Sequence, residues 1–462
     1  MKRITSIFLV VCLCLNLAGC SSDAGNNGGS SDVSGNAVTS EDALEEAGKL
    51  LKKMTLEEKI GQMFIVDVDK LTESNQPVTS ISPQILELIE EYKIGGVVFG
   101  SQNIESTDQI TSMIQDINDF VDASAQMKVP LYIGTQEEGG GENSIAATTE
   151  DINSTGYISP SEMGKNMTEG QFEDTGKVIA EELQKLGFNL NFAPVADVAE
   201  VEKMADSQAI SDSAVAVIGE RPVYTPPAKK ISKAKKKKRL NTYNKKLQEY
   251  QTAYDKFLQT YTEDNYLDSC FSEDEDKVSE AVASMVRGMH SEGMCTVLRT
   301  FPGISSVARY HKLIQMDIDT GLSKLRKVNF VPFSAGIEEE ADFIMVGHVS
   351  LSKIDKYVPA SLSRTILSEL IRKEMGFEGI VMTEQMDVPV ITNNYTTEQA
   401  VIRAIASGAD VIYDPENLEE AISAVKLAVM FKEIDEKAIN QAVLRILQNK
   451  ILRQIYPLSD RQ

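Results

Sequence analysis

The sequence predicts an α/β protein built as a (β/α)8 barrel, and three observations support this fold class. Eight short apolar runs are each followed by helical periodicity, which indicates alternating strands and helices. The runs are almost continuously apolar, as is typical of parallel strands buried on both faces. The 462-residue length accommodates one barrel of roughly 250–400 residues with an insertion. A doubly wound open sheet is the alternative that this pattern leaves open.

Composition excludes several other classes of protein. Acidic residues outnumber basic ones by 69 to 46, and the formal net charge is −23. This argues against a nucleic-acid partner, which requires a basic surface. Five cysteines are too few for a disulfide scaffold, and no long apolar run that could span a membrane follows the N-terminus.

The N-terminus has the features of a targeting segment. Two basic residues precede an apolar run from Ile7 to Leu15, and residues 17–20 have the sequence LAGC. This resembles a bacterial lipobox, which implies removal of residues 1–19 and lipidation of Cys20. An ordinary secretory signal is the alternative. We therefore expect a protein that is lipid-anchored to the cell membrane and faces outside the cytoplasm.

Residues 20–42 are expected to be the lipidated cysteine and a flexible tether. Thirteen of residues 21–40 are Gly, Ser or Asn, a composition that gives an r.m.s. reach of roughly 25 Å. The tether would hold the barrel, predicted as residues 43–457, just off a membrane surface. Within the barrel, Cys270 and Cys295 are expected to be buried free thiols, with a disulfide between them as the alternative.

The barrel elements follow in chain order. A capping-box pattern at Thr55 and Glu58 predicts a short first helix. The predicted strands are Gln62–Val68, Ile94–Phe99, Leu131–Gly134, Asn189–Val195, Met294–Leu298, Phe343–Val346, Ile380–Met382 and Val411–Tyr413. In such a barrel the C-terminal strand ends carry the chemistry. The polar residues found there are Gln136, Glu137, Glu138, Asp197, Arg299, His348, Glu384 and Asp414.

Residues 222–268 interrupt the alternation of strands and helices. Ten residues of 229–246 are Lys or Arg and none is acidic, so this stretch forms a basic arm. An apolar stripe at three- and four-residue steps predicts an amphipathic helix; it consists of Leu240, Tyr243, Leu247, Tyr250, Tyr254, Phe257 and Tyr261. We expect docking on an anionic lipid surface, where each basic residue contributes about 1 kcal/mol, or on an anionic wall polymer. A solvated loop whose helix packs on the barrel is the alternative.

A series of strings in order resembles the bacterial family 3 glycoside hydrolases of the single-barrel β-N-acetylhexosaminidase type. The strings occupy residues 58–63, 189–197, 217–221, 301–303, 331–333, 345–348, 359–363, 376–381 and 407–410. The resemblance covers residues 45–455 apart from the insertion. It implies a TIM barrel that cleaves β-linked sugars with retention, through a glycosyl-enzyme intermediate on an aspartate.

The resemblance places catalysis at Glu384 and His311. The family's nucleophilic aspartate follows the seventh strand, where this chain has Glu384. Glutamate is a competent nucleophile, but its carboxylate lies one methylene further out, and a displacement of about 1 Å can cost on the order of 100-fold. The family's acid/base histidine has an aspartate two residues earlier, whereas His311 has Arg309, a cation that cannot accept its proton. An exposed loop residue is the alternative interpretation of His311.

The resemblance also gives five candidates for substrate binding: Gln136, Asp197, Arg221, Arg299 and His348. Gln136 stands in place of the family's aspartate and Arg299 in place of a lysine, so their donor and acceptor sets differ. Asp197 and His348 are equally interpretable as supporting residues. Arg221 immediately precedes the insertion, which leaves its position open.

Two functions follow from these substitutions. Because they fall at the chemical positions while the scaffold strings survive, we expect a surface lipoprotein with lost or strongly impaired hydrolysis that binds a glycan, a cell-wall fragment or another partner. The alternative is an active exo-β-N-acetylglucosaminidase that hydrolyses cell-wall-derived glycosyl bonds, with Glu384 as nucleophile. A metal cluster of Glu137, Glu138 and Glu384 has no other support, so neither a metal nor a cofactor is expected.

Overall fold

The computed structural model describes residues 38–74, 76–140, 145, 158–200, 214–215, 218–223, 225, 232–261, 266–306 and 317–458. The signal, Cys20 and most of the tether lie outside the described residues, and so do Arg309 and His311. The first helix begins at Ser40, three residues before the predicted start of the barrel.

Eight parallel strands form a closed barrel. The strands of the chain are β1 (Phe64–Asp67), β2 (Gly96–Val98), β3 (Tyr132–Thr135), β4 (Leu190–Asn191), β5 (Cys295–Phe301), β6 (Phe343–Val346), β7 (Ser350–Leu351), β8 (Asp355–Pro359), β9 (Ile380–Thr383) and β10 (Ile412–Tyr413). Their order in the main sheet is β10-β1-β2-β3-β4-β5-β6-β9, while β7 and β8 form a separate antiparallel pair.

Backbone hydrogen bonds close the barrel between its two terminal strands. The N–H of Thr383 in β9 donates to the carbonyl of Val411 beside β10 at 3.1 Å, and the N–H of Asp410 donates to that of Val381 at 2.8 Å. All eight predicted strands are present. The closure confirms the barrel and excludes the open doubly wound sheet.

Helices alternate with the strands around the barrel. They are α1 (Ser40–Leu51), α2 (Leu56–Gln62), α3 (Pro83–Tyr92), α4 (Thr107–Ala123), α5 (Pro160–Asn166), α6 (Glu169–Leu186), α7 (Lys233–Tyr261), α8 (Glu275–Ser291), α9 (Leu322–Lys327), α10 (Phe330–Glu338), a π-helical segment (Thr365–Glu374), α11 (Pro389–Thr392), α12 (Thr397–Ser407), α13 (Leu418–Met430) and α14 (Glu436–Leu452). The predicted capping box begins α2: the Thr55 N–H donates to Glu58 Oε2 at 2.6 Å, and the Glu58 N–H donates to Thr55 Oγ1 at 3.2 Å.

The barrel interior is apolar, as the strand patterns predict. The residues of β1 to β6 are almost all buried, and the rings of Tyr132 and Phe343 meet edge to face at 5.3 Å between centroids, a favourable aromatic geometry. Cys270 and Cys295 are buried free thiols. That expectation is therefore confirmed.

Helix α14 covers the N-terminal end of the barrel. Lys450 is fully buried, and its Nζ donates to Gln62 Oε1 at 2.9 Å, to the Gly95 carbonyl at 2.9 Å and to the Pro130 carbonyl at 2.7 Å. These three acceptors come just before β1, β2 and β3. One ammonium group therefore ties together the starts of three neighbouring strands, at the end of the barrel opposite the candidate site.

The insertion contains the predicted helix as α7. The stripe residues Tyr243, Leu247, Tyr250 and Tyr254 are half-buried, whereas Leu240 and the lysines beside the stripe are exposed. The rings of Tyr250 and Tyr254 stack at 6.1 Å, as expected for neighbours one helical turn apart. The helix is therefore confirmed, and the predicted stripe is half-buried from Tyr243 to Tyr254 but not at Leu240.

Candidate active site

The C-terminal edge of the barrel collects the candidate residues from separate strands. Gln136 follows β3, Asp197 lies beyond β4, Arg299 is within β5, His348 follows β6 and Glu384 follows β9. Parallel strands bring their C-terminal ends to one rim. The sequence prediction of where the candidate chemistry lies is thus reproduced for these five residues.

A buried ion pair joins Glu138 to Arg299, one of the predicted substrate-binding residues. Oε1 of Glu138 accepts a hydrogen bond from Gln136 Nε2 at 2.9 Å and pairs with the guanidinium Nη1 of Arg299. The side chains of Glu138 and Arg299 expose only 7% and 15% of their surface. Two predicted substrate-binding residues, Gln136 and Arg299, therefore contact the same carboxylate.

The loop that carries Glu138 is held in place by its own backbone and by β4. The Glu137 N–H donates to Asn191 Oδ1 and the Glu137 carbonyl accepts from Asn191 Nδ2, both at 2.9 Å. Gly139 and Gly140 follow with φ of 89° and 88°, a region that glycine enters without strain. The two bonds to Asn191 therefore fix the backbone immediately before Glu138.

The side chain of Asp197 connects two loops through hydrogen bonds. Its Oδ2 accepts from the hydroxyl of Tyr266 and from the N–H of Ile304, each at 2.8 Å. The residue is fully buried, and this burial raises the pKa of the Asp197 carboxyl to about 6. Tyr266 lies at the end of the insertion and Ile304 begins the loop that leads to His311. This placement favours the supporting role over direct substrate contact.

Both ring nitrogens of His348 likewise form hydrogen bonds. Its Nδ1 lies 2.7 Å from Ser361 Oγ and its Nε2 lies 2.8 Å from the carbonyl oxygen of Gln385. Because a carbonyl only accepts, Nε2 carries the proton and the Ser361 hydroxyl donates to Nδ1. The buried imidazole thus positions the residue next to Glu384, which again favours a supporting role.

Glu384 lies at the end of β9 with its carboxylate turned towards β6. Its N–H donates to the Val346 carbonyl at 2.9 Å, its side chain is half-buried, and Oε2 is buried. A Cβ added to Gly347 would lie 3.5 Å from that oxygen and 2.8 Å from Thr300 Cγ2. The close approach of Thr300, rather than that of Glu384, therefore requires a glycine at position 347.

A second group of carboxylates lies on the same rim. Burial raises the pKa of Asp67 to about 6 and that of Asp414 to about 7, and Asp414 Oδ2 accepts from Gln385 Nε2 at 2.9 Å. Asp387 pairs with Lys70. The sequence patterns missed Asp67, the last residue of β1, and Lys70 shortly after it.

The described rim does not include two of the predicted site residues, Arg221 and His311. Arg221 is exposed and has no hydrogen bond or ion pair with any other residue that the structure describes. His311 lies outside the described residues, and its predicted role stays a prediction. Within the described ranges, no cluster of three or more acidic, His or Cys side chains is arranged to hold a metal, and no helix is long and apolar enough to span a bilayer.

Comparison with known proteins gives a family and a fold. The family described as "Glycosyl hydrolase family 3 N terminal domain" matches residues 55–217 and 262–449, so the unmatched gap of residues 218–261 largely coincides with the insertion. Beta-hexosaminidase A of Pseudoalteromonas piscicida is 22% identical over 434 residues, which cover 86% of this chain and 61% of that protein. The Beta-hexosaminidase of Stenotrophomonas maltophilia (strain K279a) is 34% identical over 163 residues, or 34% of this chain and 47% of that protein. The chain thus spans about half to three-fifths of the length of these relatives.

Two solved structures have the same barrel. A glycoside hydrolase family 3 beta-N-acetylglucosaminidase from Paenibacillus sp. is 20% identical, with a TM-score of 0.64, over 88% of this chain and 64% of that one. The Beta-N-acetylhexosaminidase from Beutenbergia cavernae is 22% identical, with a TM-score of 0.63, over 85% of this chain and 98% of that one. At these identities the likeness establishes the fold alone.

Proposed function

Because the chain belongs to glycosyl hydrolase family 3, we propose that it is a lipid-anchored surface protein whose barrel binds a glycan or cell-wall fragment, with hydrolysis lost or strongly impaired. The observation that carries this function is the buried pairing of Glu138 with Arg299 and Gln136. A sugar hydroxyl that binds here must replace contacts within the buried Glu138–Arg299 ion pair. A ligand therefore binds only if it supplies hydrogen-bond donors and acceptors for both side chains.

The catalytic positions support impaired hydrolysis for separate reasons. Retention needs a nucleophile and an acid/base group on opposite sides of the glycosidic bond. Glu384 places its carboxylate one methylene beyond the family's aspartate, and one of its oxygens is buried beside Gly347. His311 has an arginine where the family's histidine has its aspartate. Both groups would have to be repositioned before they could act together.

An active exo-β-N-acetylglucosaminidase is the second candidate. The observation that favours it is the position of Glu384, which still offers a carboxylate at the C-terminal end of β9 on the same rim as Arg299. The relatives named above are hexosaminidases, which agrees with this substrate class. In this candidate Glu384 attacks the anomeric carbon and water later hydrolyses the glycosyl-enzyme.

Hydrolysis is tested with the soluble chain from Ser21 onward and an aryl β-N-acetylglucosaminide at high protein concentration. Glu384→Gln is the matched control because it keeps shape and removes the nucleophilic oxygen. We expect no turnover, or the same trace turnover in both proteins. Turnover that disappears only in Glu384→Gln would establish the hexosaminidase and remove the impaired-hydrolysis proposal.

Glycan binding is measured separately by calorimetric titration with N-acetylglucosamine oligosaccharides. Gln136→Ala and the exposed-site control Gln126→Ala are compared with the unchanged chain. Weaker binding in Gln136→Ala alone supports the rim as the binding site. Equal affinities in all three proteins would mean that these sugars bind elsewhere.

The lipid anchor has its own test in the bacterial cell. Metabolic labelling with an alkyne fatty acid should mark the full chain and the Cys12→Ser control, but not Cys20→Ser. Labelling that persists in Cys20→Ser would contradict anchoring through this residue. This result does not depend on the outcome of the sugar assays.

A further inference from the structure

The insertion carries a basic groove that the barrel rim does not use. A groove of about 670 Å³ lies between residues 222–225 and α7. Lys235, Lys238, Arg239 and Lys246 line it, and no acidic side chain is among its described lining residues. The Arg239 Nη2 donates to the Thr225 carbonyl at 3.1 Å, which holds one wall of the groove against the other.

The first turns of α7 keep their positive charge exposed. Six of residues 233–239 are Lys or Arg, all of them exposed, and none has an acidic partner among the residues that the structure describes. Further along, Lys245 pairs with Glu249 at 3.7 Å. Like charges three and four residues apart repel one another on a helix. A bound polyanion would neutralise this repulsion.

The distribution of these charges favours a chain-like ligand over a flat one. Seven residues make about two turns of an α-helix, so the basic side chains of 233–239 point to all sides. A planar surface can reach only one side of such a helix. A flexible anionic polymer can contact several sides at once, and it can also follow the groove beside Thr225.

The last residues of the insertion contact the C-terminal end of the barrel. Tyr266 donates its hydroxyl hydrogen to Asp197 Oδ2 at 2.8 Å, and nearby the Ala199 N–H donates to the Ser272 carbonyl at 2.8 Å. Helix α1 packs on α14 instead, with Gln448 Nε2 3.4 Å from the Ser40 carbonyl.

We propose that α7 and residues 222–225 bind a phosphodiester-linked anionic polymer of the cell wall. The ammonium groups of Lys235, Lys238 and Lys246 pair with successive phosphates, and Arg239 offers its free guanidinium donors to one of them. The choice of a wall polymer over a membrane surface rests on the distribution of the basic side chains around all sides of α7. The polyanion site itself rests only on α7 and its groove, and it holds the barrel rim close to wall material.

The test uses the soluble chain from Ser21 onward and poly(glycerol phosphate), measured by calorimetry at low salt. The variant Lys235→Glu/Lys238→Glu/Lys246→Glu should bind about tenfold more weakly. The control Lys53→Glu/Lys185→Glu/Lys437→Glu changes three exposed lysines of the barrel by the same charge and should lose less than about twofold. Binding of the unchanged chain should fall steeply in high salt, because exposed charges are screened.

Phosphatidylglycerol vesicles at the same phosphate concentration form the second arm. Stronger binding to vesicles than to the polymer would assign the groove to a membrane surface and overturn the proposal. Equal losses in the two triple variants, or no polymer binding by the unchanged chain, would overturn it as well. Circular dichroism shows whether α7 survives the charge changes. Titration with N-acetylglucosamine oligosaccharides should be unaffected, so failure of polymer binding and failure of glycan binding are separate results.

Discussion

Replacing Arg299 with methionine is expected to destabilise the barrel, because the change leaves the carboxylate of Glu138 buried without its cation. The side chains of Glu138 and Arg299 expose 7% and 15% of their surface, and the other partner of Glu138 is the neutral amide of Gln136 at 2.9 Å. Removal of one member of a buried ion pair costs about 3–5 kcal/mol. Folded domains are stable by only about 5–15 kcal/mol, so this loss is a large fraction of the free energy of unfolding.

The interaction is measured by a double-mutant cycle in urea, followed by far-UV circular dichroism because the chain contains no tryptophan. In Arg299→Met/Glu138→Gln both charges are gone, and the loss should be at least about 1 kcal/mol smaller than the sum of the single losses. Arg326→Met is the control, since Arg326 and Glu374 form an ion pair that is 50% and 35% exposed and should contribute less than about 1 kcal/mol. Additive single losses, or equal losses for Arg299→Met and Arg326→Met, would refute the buried pairing.

Three further substitutions test other parts of the structure. Burial raises the pKa of Asp414 to about 7, so the unfolded chain loses this proton first and stability falls as pH rises from about 4 to 7. Asp414→Asn should therefore raise the Tm above that of the unchanged chain at pH 8, and by clearly less at pH 5. Lys450→Met removes the hydrogen bonds of the ammonium group to Gln62 Oε1 and to the Gly95 and Pro130 carbonyls and should lower the free energy of unfolding by about 2 kcal/mol or more, measured in urea. Tyr266→Phe removes the hydroxyl bound to Asp197 and should cost about 1.5–3 kcal/mol, with a larger loss at pH 8, where the carboxyl is charged, than at pH 5.

The strands and the site rim were predictable because their signal is local. A strand buried on both faces gives an apolar run, and β1, β3 and β9 were each located from such a run. The first polar residue after a run then marks the rim, and this was enough to place Gln136 and Glu384. The length and apolar stripe of α7 were predictable for the same reason, since the three- and four-residue spacing of a helix is a local sequence signal.

The partners of these residues were not predictable, because they come from distant parts of the chain. Glu138 and Arg299 are 161 positions apart, and Asp197 and Tyr266 are 69 apart. No periodicity connects such pairs, and only the folded barrel brings them within hydrogen-bonding distance. Lys450 is the clearest case, since a lysine on an amphipathic helix is typical of a solvated face, whereas here it is fully buried beneath the strands.

The two ends of the barrel are stabilised by separate sets of contacts, which explains how the rim can change without loss of the fold. At the N-terminal end, burial alone would raise the pKa of the Asp342 carboxyl, but Arg453 and His290 beside it hold that pKa well below its ordinary value. Arg453 Nε lies 2.7 Å from Asp342 Oδ1 and His290 Nε2 lies 2.9 Å from Oδ2. None of these residues touches the C-terminal rim, so substitutions at Gln136 or Glu384 leave this network intact. Because the two sets of contacts are separate, substitutions at the rim are expected to leave the stability of the N-terminal end of the barrel unchanged.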